Sequence, residues 1–476
     1  MKMKQKTFNM FFINGNKINF TKKWIIVAIV SALWFVFCSL FLSPEIRSII
    51  IKYVEENITH KIINHSNWSD NLFNFALIGY CVYLFTFFIF ILEKFFIINK
   101  VSSDKYNWET VFMVTITIFS IAIRVAGFSH KTGDYFTQSN WVTHLRENGI
   151  FEGFKTFPGN YNAIYMYFLA ILSYLPSKYE LWIMKIMSCV FDYICAFYSM
   201  KIIRQMTRSV KTGVLTYAII LFSPTVFINS GLWAQCDSMY AAFILISMFY
   251  LLNDRPCPAM LHFGIALSFK LQAIFPLPFI LYIFIYKKIS MKNLLYILIG
   301  FFGVSIPAWL FGWPLIKCVA NYLAGTNTSG ILTMNAPTIF TWGNLPVVMP
   351  VVFIAAVLFC IGFLIINKKS KLSNNTILLL FLFCNFTIPF FLPNMHERYF
   401  YVGEIAVLLY VMINPKRFWI SFFVIMPSLA TYTGYLYGTN PFSLQNLSFV
   451  MLAGVVIILK WLIEAILLEQ GKNYDC

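Results

Sequence analysis

The sequence predicts an all-α polytopic membrane protein, and three observations support this fold class. Of the 476 residues, 59% are hydrophobic and only 12% are charged, whereas a soluble domain carries roughly 25% charged residues. Apolar runs of roughly 20 residues, the length that crosses a hydrocarbon core as a helix, recur along the chain. The basic residues fall mainly in the short linkers between these runs, as the positive-inside rule describes.

The apolar runs predict a bundle of about 12–14 transmembrane helices when each run near the required length is taken as one span. They lie near 24–42, 72–92, 109–128, 181–203, 213–229, 238–253, 257–269, 272–286, 293–312, 348–366, 376–393, 399–414, 418–436 and 447–468.

Two parts of this threading are irregular. The runs 257–269 and 272–286 are short, which is typical of two tilted helices or of a re-entrant hairpin. Residues 161–176 are apolar, but a crossing there would place the basic run from Lys201 to Lys211 on the outer side. We therefore expect 161–176 to be an interfacial or re-entrant helix on the outer side.

Charge assigns a side to each loop. With the N-terminus inside, the inner loops hold most of the basic residues and both termini are cytoplasmic. The Asn, Lys, Ile and Phe bias is typical of an AT-rich bacterial genome, so we expect a bacterial cell membrane. The inner basic residues are Lys94, Lys100, Lys105, Lys201, Arg204, Arg208, Lys211, Arg255, Lys287, Lys288, Lys292, Lys368, Lys369, Lys371, Lys416 and Arg417.

The chain divides into three predicted parts. Residues 1–108 form an N-terminal tail and a two-helix hairpin, 109–414 a membrane core, and 415–476 the last transmembrane helices. The net charge of +17 does not indicate nucleic-acid binding, because no compact basic domain exists to host it. The ten cysteines show no C-x-x-C pair and no zinc spacing, so they are expected to be small core residues.

The first polar cluster on the outer side is the segment 133–165, after the third span. Asp134 lies just beyond a helix end, where a partly shielded carboxylate could act as a base or could cap a loop helix. Arg124 lies within the third span and needs a partner or a phosphate there, unless it snorkels to the outer interface.

Two further clusters lie at the same outer side. Trp233, Gln235 and Asp237 stand where the fifth and sixth spans meet, and alone they would be an interfacial tryptophan and a loop aspartate. Lys270 and Gln272 stand at the tip between two short spans, where a lone lysine is usually a solvated anchor.

The fourth cluster is the segment 393–401, PNMHERYFY. His396, Glu397 and Arg398 are expensive at this depth unless they bind one another or a ligand. The planar guanidinium of Arg398 suits a phosphate. Lys185 and Asp192 are two helical turns apart in the fourth span, so we expect ion pairs rather than catalytic roles for them.

The order of these motifs resembles the bacterial membrane glycosyltransferases of the GT-C superfamily. Asp134, the run WAQCD, the tip FKLQ and the run MHERYF carry the resemblance, over about residues 109–414. It is closest to bacterial relatives of the GPI-anchor mannosyltransferases and of the protein O-mannosyltransferases. The resemblance implies a GT-C-like bundle with a catalytic loop on the outer side.

The resemblance also implies a reaction. A hexose, with mannose the first expectation, is carried on polyprenyl phosphate and is transferred with inversion to an acceptor hydroxyl of a glycan, glycolipid or protein. Asp134 would deprotonate that hydroxyl, while Lys270 and Arg398 would stabilise the phosphate. The other substrate-binding candidates are Arg124, Trp233, Gln235, Asp237, Gln272, His396 and Glu397. Membrane lipid is the remaining partner, and no cofactor is expected.

One departure and two rival functions remain. Many members of the family carry paired acidic residues in the first outer loop, whereas Asp134 is single and the next carboxylates are Glu147 and Glu152. This disfavours a metal-bound mechanism, because a divalent ion needs several oxygen ligands. The rivals are a non-enzymatic lipid or polysaccharide transporter or flippase, and a polysaccharide polymerase. The long outer segment 313–347 is expected to be either a lid or a surface loop.

Overall fold

The computed structural model describes residues 48–49, 52, 108–325, 332–343, 345–367 and 372–471. The predicted spans near 24–42 and 72–92, and with them nearly all of the predicted N-terminal part, lie outside the described residues. The α-helices of the described part are α1 (Trp108–Ala126), α2 (Gly133–Lys155), α3 (Ala163–Ser173), α4 (Glu180–Thr207), α5 (Val210–Leu221), α6 (Pro224–Phe227), α7 (Asp237–Leu252), α8 (Pro256–Phe269), α9 (Leu277–Tyr286), α10 (Leu295–Gly303), α11 (Ile306–Leu310), α12 (Lys317–Gly325), α13 (Val348–Ile366), α14 (Asn374–Phe391), α15 (Tyr401–Ile413), α16 (Ile420–Tyr437) and α17 (Leu444–Gly471).

The described chain is an all-α polytopic membrane protein, as the sequence predicts. Five of its helices are long and apolar enough to cross a membrane, or six if the pair α5 and α6 with the π-helical turn Ile228–Leu232 is one span bent by 50°. Ser223 and Pro224 explain the bend, because a proline cannot continue a helix but is well placed at the start of one. The predicted run 293–312 is also divided, into α10 and α11.

The helix α3 has 11 residues, which is about half the length that a span requires. It packs against α2, the helix that begins at Gly133. The paired short runs are two helices, α8 and α9, separated by Lys270 and the 3-10 turn Leu271–Ile274. The polar tip that the sequence predicts between them is therefore present.

The centre of the bundle is formed by α14 and α15, which pack on each other and on α5 and α17. In the apolar window of α14, 83% of the residues are buried, against 28% for α13. Since both helices are apolar, α14 is an interior helix and α13 exposes its side chains as a lipid-facing helix does. Between α14 and α15 the chain forms the segment that carries His396, Glu397 and Arg398.

A short parallel pair of strands holds this segment in place. In β1 (Thr333–Met334) and β2 (Met395–His396), Thr333 pairs with Met395 and Met334 with His396. Thr333 and Met334 thus connect the segment 313–347 with the polar segment that carries His396. The segment 313–347 also contains the helix α12.

Candidate active site

Asp134 lies in the first turn of α2, and two side chains donate hydrogen bonds to its carboxylate. Thr132 is the N-cap residue and accepts a hydrogen bond from the backbone N–H of Tyr135. The alternative in which Asp134 caps the helix is therefore wrong. The Trp233 indole N–H donates to Asp134 Oδ2 at 2.8 Å, and the Gln235 amide donates to the same oxygen.

The local backbone explains how two residues so close in sequence reach one carboxylate. Ala234 lies between them and adopts a positive φ of 66°, which is strained for a residue with a Cβ. The π-helical turn Ile228–Leu232 precedes this point, and such turns are frequent at functional sites. The turn and the left-handed residue direct both side chains to the same acceptor.

Trp233 is completely buried, so the alternative of an interfacial tryptophan is wrong. Its ring stacks on Tyr435 with 4.3 Å between centroids, and the Arg398 guanidinium lies 5.4 Å from its ring centre. The Tyr435 hydroxyl accepts a hydrogen bond from the backbone N–H of Asp134. The indole therefore connects the start of α2 with α16 and with the segment after α14.

Asp237 holds the two cations of the site. Its carboxylate accepts a bond from Lys270 Nζ at 2.7 Å, lies 3.7 Å from Arg398 Nε, and accepts a bond from the Asn229 amide at 2.9 Å. It is fully buried in the first turn of α7, where the helix dipole favours a negative charge. It is therefore a buried ion-pair residue rather than the loop aspartate of the alternative.

Lys270 is also buried, so it is not the solvated anchor that an isolated lysine would be. Besides Asp237 it donates to Gln235 Oε1 at 3.2 Å and lies over the ring of Tyr161. Burial lowers the pKa of Lys270, but Asp237 and its neighbours raise it well above the ordinary value. The ammonium group is a fixed positive charge.

The sequence predicts that the ionisable groups of His396, Glu397 and Arg398 must bind one another or a ligand, and one pair of them does bind each other. Arg398 Nη1 lies 3.3 Å from Glu397 Oε1, so two of the adjacent ionisable groups bind each other. Burial, assisted by Arg398 and Lys270, lowers the pKa of His396 to about 3, so the imidazole is neutral. Burial raises the pKa of Glu397 to about 7 despite the nearby guanidinium.

A cavity of about 780 Å³ connects these groups. Five of the ten predicted site residues line it, namely Asp134, Lys270, Gln272, His396 and Arg398. Four others do not line the cavity but contact the lining residues Asp134, Lys270 or Arg398, namely Trp233, Gln235, Asp237 and Glu397. Sequence reasoning missed the lining residues Thr137, Gln138, Trp141, Tyr161 and Tyr399. For Thr137, Gln138 and Trp141 the signal was the spacing 134, 137, 138 and 141, which puts four side chains on one face of a helix.

Arg124 is the predicted site residue that does not join the others. Its Nε and Nη2 both lie 2.8 Å from Asp192 Oδ2, between α1 and α4, and the side chain is buried rather than snorkelling. The ion pair expected for Asp192 is therefore confirmed, and it is interhelical. The ion pair expected for Lys185 is wrong, because its Nζ donates instead to the backbone oxygens of Gly127 and His130 at 2.8 and 2.6 Å.

The charges of the cavity suit an anion beside a base. Burial alone raises the pKa of Asp134, but Arg398, the Trp233 indole and Lys270 more than offset it, so the pKa lies below its ordinary value. Among the described residues no group of three or more His, Cys, Asp or Glu side chains could hold a metal ion. Comparison with protein-family models and with curated proteins finds no match to this chain.

Proposed function

We propose that this chain is a GT-C-type membrane glycosyltransferase. It moves a hexose, mannose in the first instance, from a polyprenyl-phosphate donor to an acceptor hydroxyl on the outer side of a bacterial cell membrane. The observation that carries the proposal is one cavity in which an ionised carboxylate, Asp134, faces two fixed cations, Lys270 and Arg398. The bundle has about 12–14 spans with both termini cytoplasmic, following the length and charge rules.

The proposed reaction is a single displacement. The acceptor oxygen forms a bond to the anomeric carbon, the bond from that carbon to the phosphate oxygen breaks, and the acceptor proton passes to Asp134. The leaving lipid phosphate keeps the electron pair of the broken bond, and Lys270 and Arg398 stabilise its charge. One displacement inverts the configuration of the sugar. No cofactor takes part in this sequence.

The lowered pKa of Asp134 bears on the stage of the reaction at which it accepts the proton. A carboxylate with a low pKa is a weak base for an ordinary alcohol. Glycosyl transfer passes through an oxocarbenium-like transition state, and the attacking hydroxyl becomes strongly acidic once its oxygen bonds to carbon. Asp134 is therefore proposed to accept the proton late. The bound donor phosphate also screens Arg398 and Lys270, which moves the pKa of Asp134 upward.

The test uses membranes supplied with radiolabelled polyprenyl-phosphate mannose. Asp134→Asn keeps the hydrogen-bonding shape of the side chain but removes the base, so transfer is expected to fall by at least about 100-fold while expression and insertion are unchanged. The matched control is Glu147→Gln, an exposed carboxylate on the same helix. Undiminished transfer by Asp134→Asn would overturn the proposed base.

A second candidate is a lipid or polysaccharide transporter, and one observation favours it. Glu404 is a fully buried carboxylate of α15, and ionisable groups within spans often mark transport paths. Reconstituted vesicles distinguish the candidates. The transferase produces a glycosylated acceptor, whereas a flippase moves the lipid-linked sugar across the bilayer and leaves its phosphate bond intact.

A further inference from the structure

One face of α2 forms a continuous wall of the cavity. Asp134, Thr137, Gln138 and Trp141 follow one another at helical spacing, and all four line the cavity. Seven residues of helix extend over about 10 Å, which is longer than one pyranose ring. The wall thus presents a carboxylate, a hydroxyl, an amide and an indole in a row that leads away from the proposed base.

The amide of Gln138 is fixed in one orientation. The side chain is only 2% exposed, and its carbonyl oxygen accepts a hydrogen bond from the Tyr165 hydroxyl at 2.6 Å. The NH₂ end is therefore the end left to donate, in a side chain that lines the cavity. A buried amide that uses only part of its hydrogen-bonding capacity is well suited to a polar ligand.

Trp141 is half-buried, and aromatic side chains support it from two sides. Its ring centre lies 5.8 Å from that of Phe157 and 5.3 Å from that of Tyr161. Gly159 is required beside it, because a Cβ there would lie 3.0 Å from the indole and closer still to Phe157. The indole is thus held in a fixed position by its neighbours while it borders the cavity.

Few of the side chains that line the cavity are charged. Its ionisable acidic and basic lining residues are Asp134, Lys270, His396 and Arg398, and the His396 imidazole is neutral. Tyr161, whose ring contacts the Trp141 indole, is also a lining residue, and Lys270 lies 5.4 Å from its ring centre but is paired with Asp237. The wall itself therefore offers mainly neutral polar and aromatic groups to a ligand.

We infer that this wall is the acceptor subsite and that the acceptor is a saccharide. The inference rests on the proposed function, since it assigns the second substrate of the same site. A sugar ring stacks its C–H face on Trp141 and presents one hydroxyl to Asp134. It accepts a hydrogen bond from the Gln138 NH₂ group and donates one to the Thr137 hydroxyl oxygen, whose own hydrogen is donated to the Gly133 carbonyl. An acyclic polyol phosphate or a serine-containing peptide would leave the indole face without a ring.

Binding without the donor tests this inference separately from catalysis. The protein in nanodiscs is studied by saturation-transfer-difference NMR with methyl α-mannopyranoside, a blocked Ala-Ser-Ala peptide and glycerol 3-phosphate. The mannoside ring protons are expected to receive saturation. Trp141→Ala is expected to reduce that signal at least about fivefold, the size that loss of one stacking contact gives, and Trp141→Phe to retain most of it. The control is Phe136→Ala, an exposed aromatic residue of the same helix that does not line the cavity.

Each outcome decides the inference. An equal mannoside signal in the unaltered chain and in Trp141→Ala, or no mannoside signal in the unaltered chain, would overturn it. A stronger signal from the peptide or from glycerol phosphate would assign the wall to that class instead. Asp134→Asn is expected to keep the binding signal while it loses transfer, so failure of the base assignment and failure of the acceptor subsite give different results.

Discussion

At the residue scale, two carboxyl groups of the site are pushed in opposite directions by the same surroundings. Asp134 has two donors on one oxygen and cations nearby, and its pKa is lowered. Glu397 is almost completely buried and shares Arg398 with Asp237, and its pKa rises to about 7. Only Asp134 lines the cavity. The environments therefore favour Asp134 as the group that meets substrate, and Glu397 as a positioning residue for Arg398.

Trp233→Phe tests how Asp134 is kept ionised. Phenylalanine preserves the stacking on Tyr435 but removes the N–H bond to Asp134. A hydrogen bond to a charged group contributes about 1.5–3 kcal/mol, and its loss releases the Asp134 carboxylate from its fixed position, so transfer is expected to fall roughly tenfold or more. Because the lost bond lowers the pKa of Asp134, that pKa rises in the variant. As the solution is acidified, Asp134 of the variant is therefore protonated at a higher pH than Asp134 of the unaltered protein.

The measurement is the pH profile of transfer for the two proteins. The acid limb of the unaltered protein is expected below the ordinary carboxyl range, and the limb of Trp233→Phe is expected at higher pH. The control Trp182→Phe changes an indole that lies outside the cavity lining and should leave the limb in place. Superimposable acid limbs for Trp233→Phe and the unaltered protein would contradict the assigned role.

Asp237→Asn tests the carboxylate that holds both cations. Lys270 is left buried without a carboxylate partner at hydrogen-bonding distance, and loss of one member of a buried ion pair costs about 3–5 kcal/mol. The melting temperature in detergent is expected to fall markedly. Adding Lys270→Met removes the unpaired ammonium and should recover part of the stability but no transfer. A double variant no more stable than Asp237→Asn would show that the pair is not the cause.

The sequence could identify these residues but not their partners. Lys270, Trp233 and Asp237 each had an ordinary explanation as a membrane-interface or loop residue. Their burial decides against those explanations, and burial depends on helices that are distant in the chain. The contact of Trp233 with Asp134 crosses about 100 positions, which no local pattern reports.

At the element scale, close helix contacts depend on glycine. α8 and α10 pack through Gly264 and Gly300, and a Cβ at Gly264 would overlap the backbone oxygen of Ile297. A Cβ at Gly300 would likewise overlap the backbone oxygen of Leu261. Small residues that let backbones approach are typical of helix pairs in membranes. This contact fixes α8, the helix that ends just before Lys270.

Gly264→Ala is therefore expected to be destabilising. Alanine is favoured over glycine within a helix by about 1 kcal/mol, but the overlap with Ile297 forces the helices apart and costs about 1–3 kcal/mol or more. A thermal unfolding curve measures the net effect. Gly303→Ala on α10 is the matched control, because a Cβ there meets nothing within 4 Å, and its melting temperature should not fall. An unchanged melting temperature for Gly264→Ala would contradict the close contact.

Hydropathy located the helices better than it located their breaks. The runs 109–128, 181–203 and 348–366 coincide with α1, α4 and α13 to within a few residues. The run 293–312 appeared to be one span, but Ser305 and Pro307 lie where α10 ends and α11 begins. An apolar run reports the preference of side chains for lipid, whereas a break depends on local backbone hydrogen bonds.

At the scale of the whole molecule, the interior helix α14 and the lipid-facing helix α13 are both apolar, so polarity does not distinguish interior from surface. Both α13 and α14 are apolar, yet only α14 is largely buried. In water such a surface would indicate an interface, but in a bilayer the lipid tails cover it. The sequence could therefore assign spans, while the position of each helix in the bundle came from packing.

Loop charge makes the last prediction, which concerns the side of the membrane on which the cavity opens. Positive loops stay in the cytoplasm, so Lys211 is expected inside and the α2 region outside.

Both Asn140 and Lys211 are exposed. Asn140→Cys should react with a membrane-impermeant maleimide in intact cells, above the background of the unaltered chain. Lys211→Cys should react only after permeabilisation. The proposed donor sugar, if presented at the outer leaflet, would reach Asp134 only in this orientation. Labelling of Lys211→Cys in intact cells together with protection of Asn140→Cys would invert the molecule and place its base in the cytoplasm.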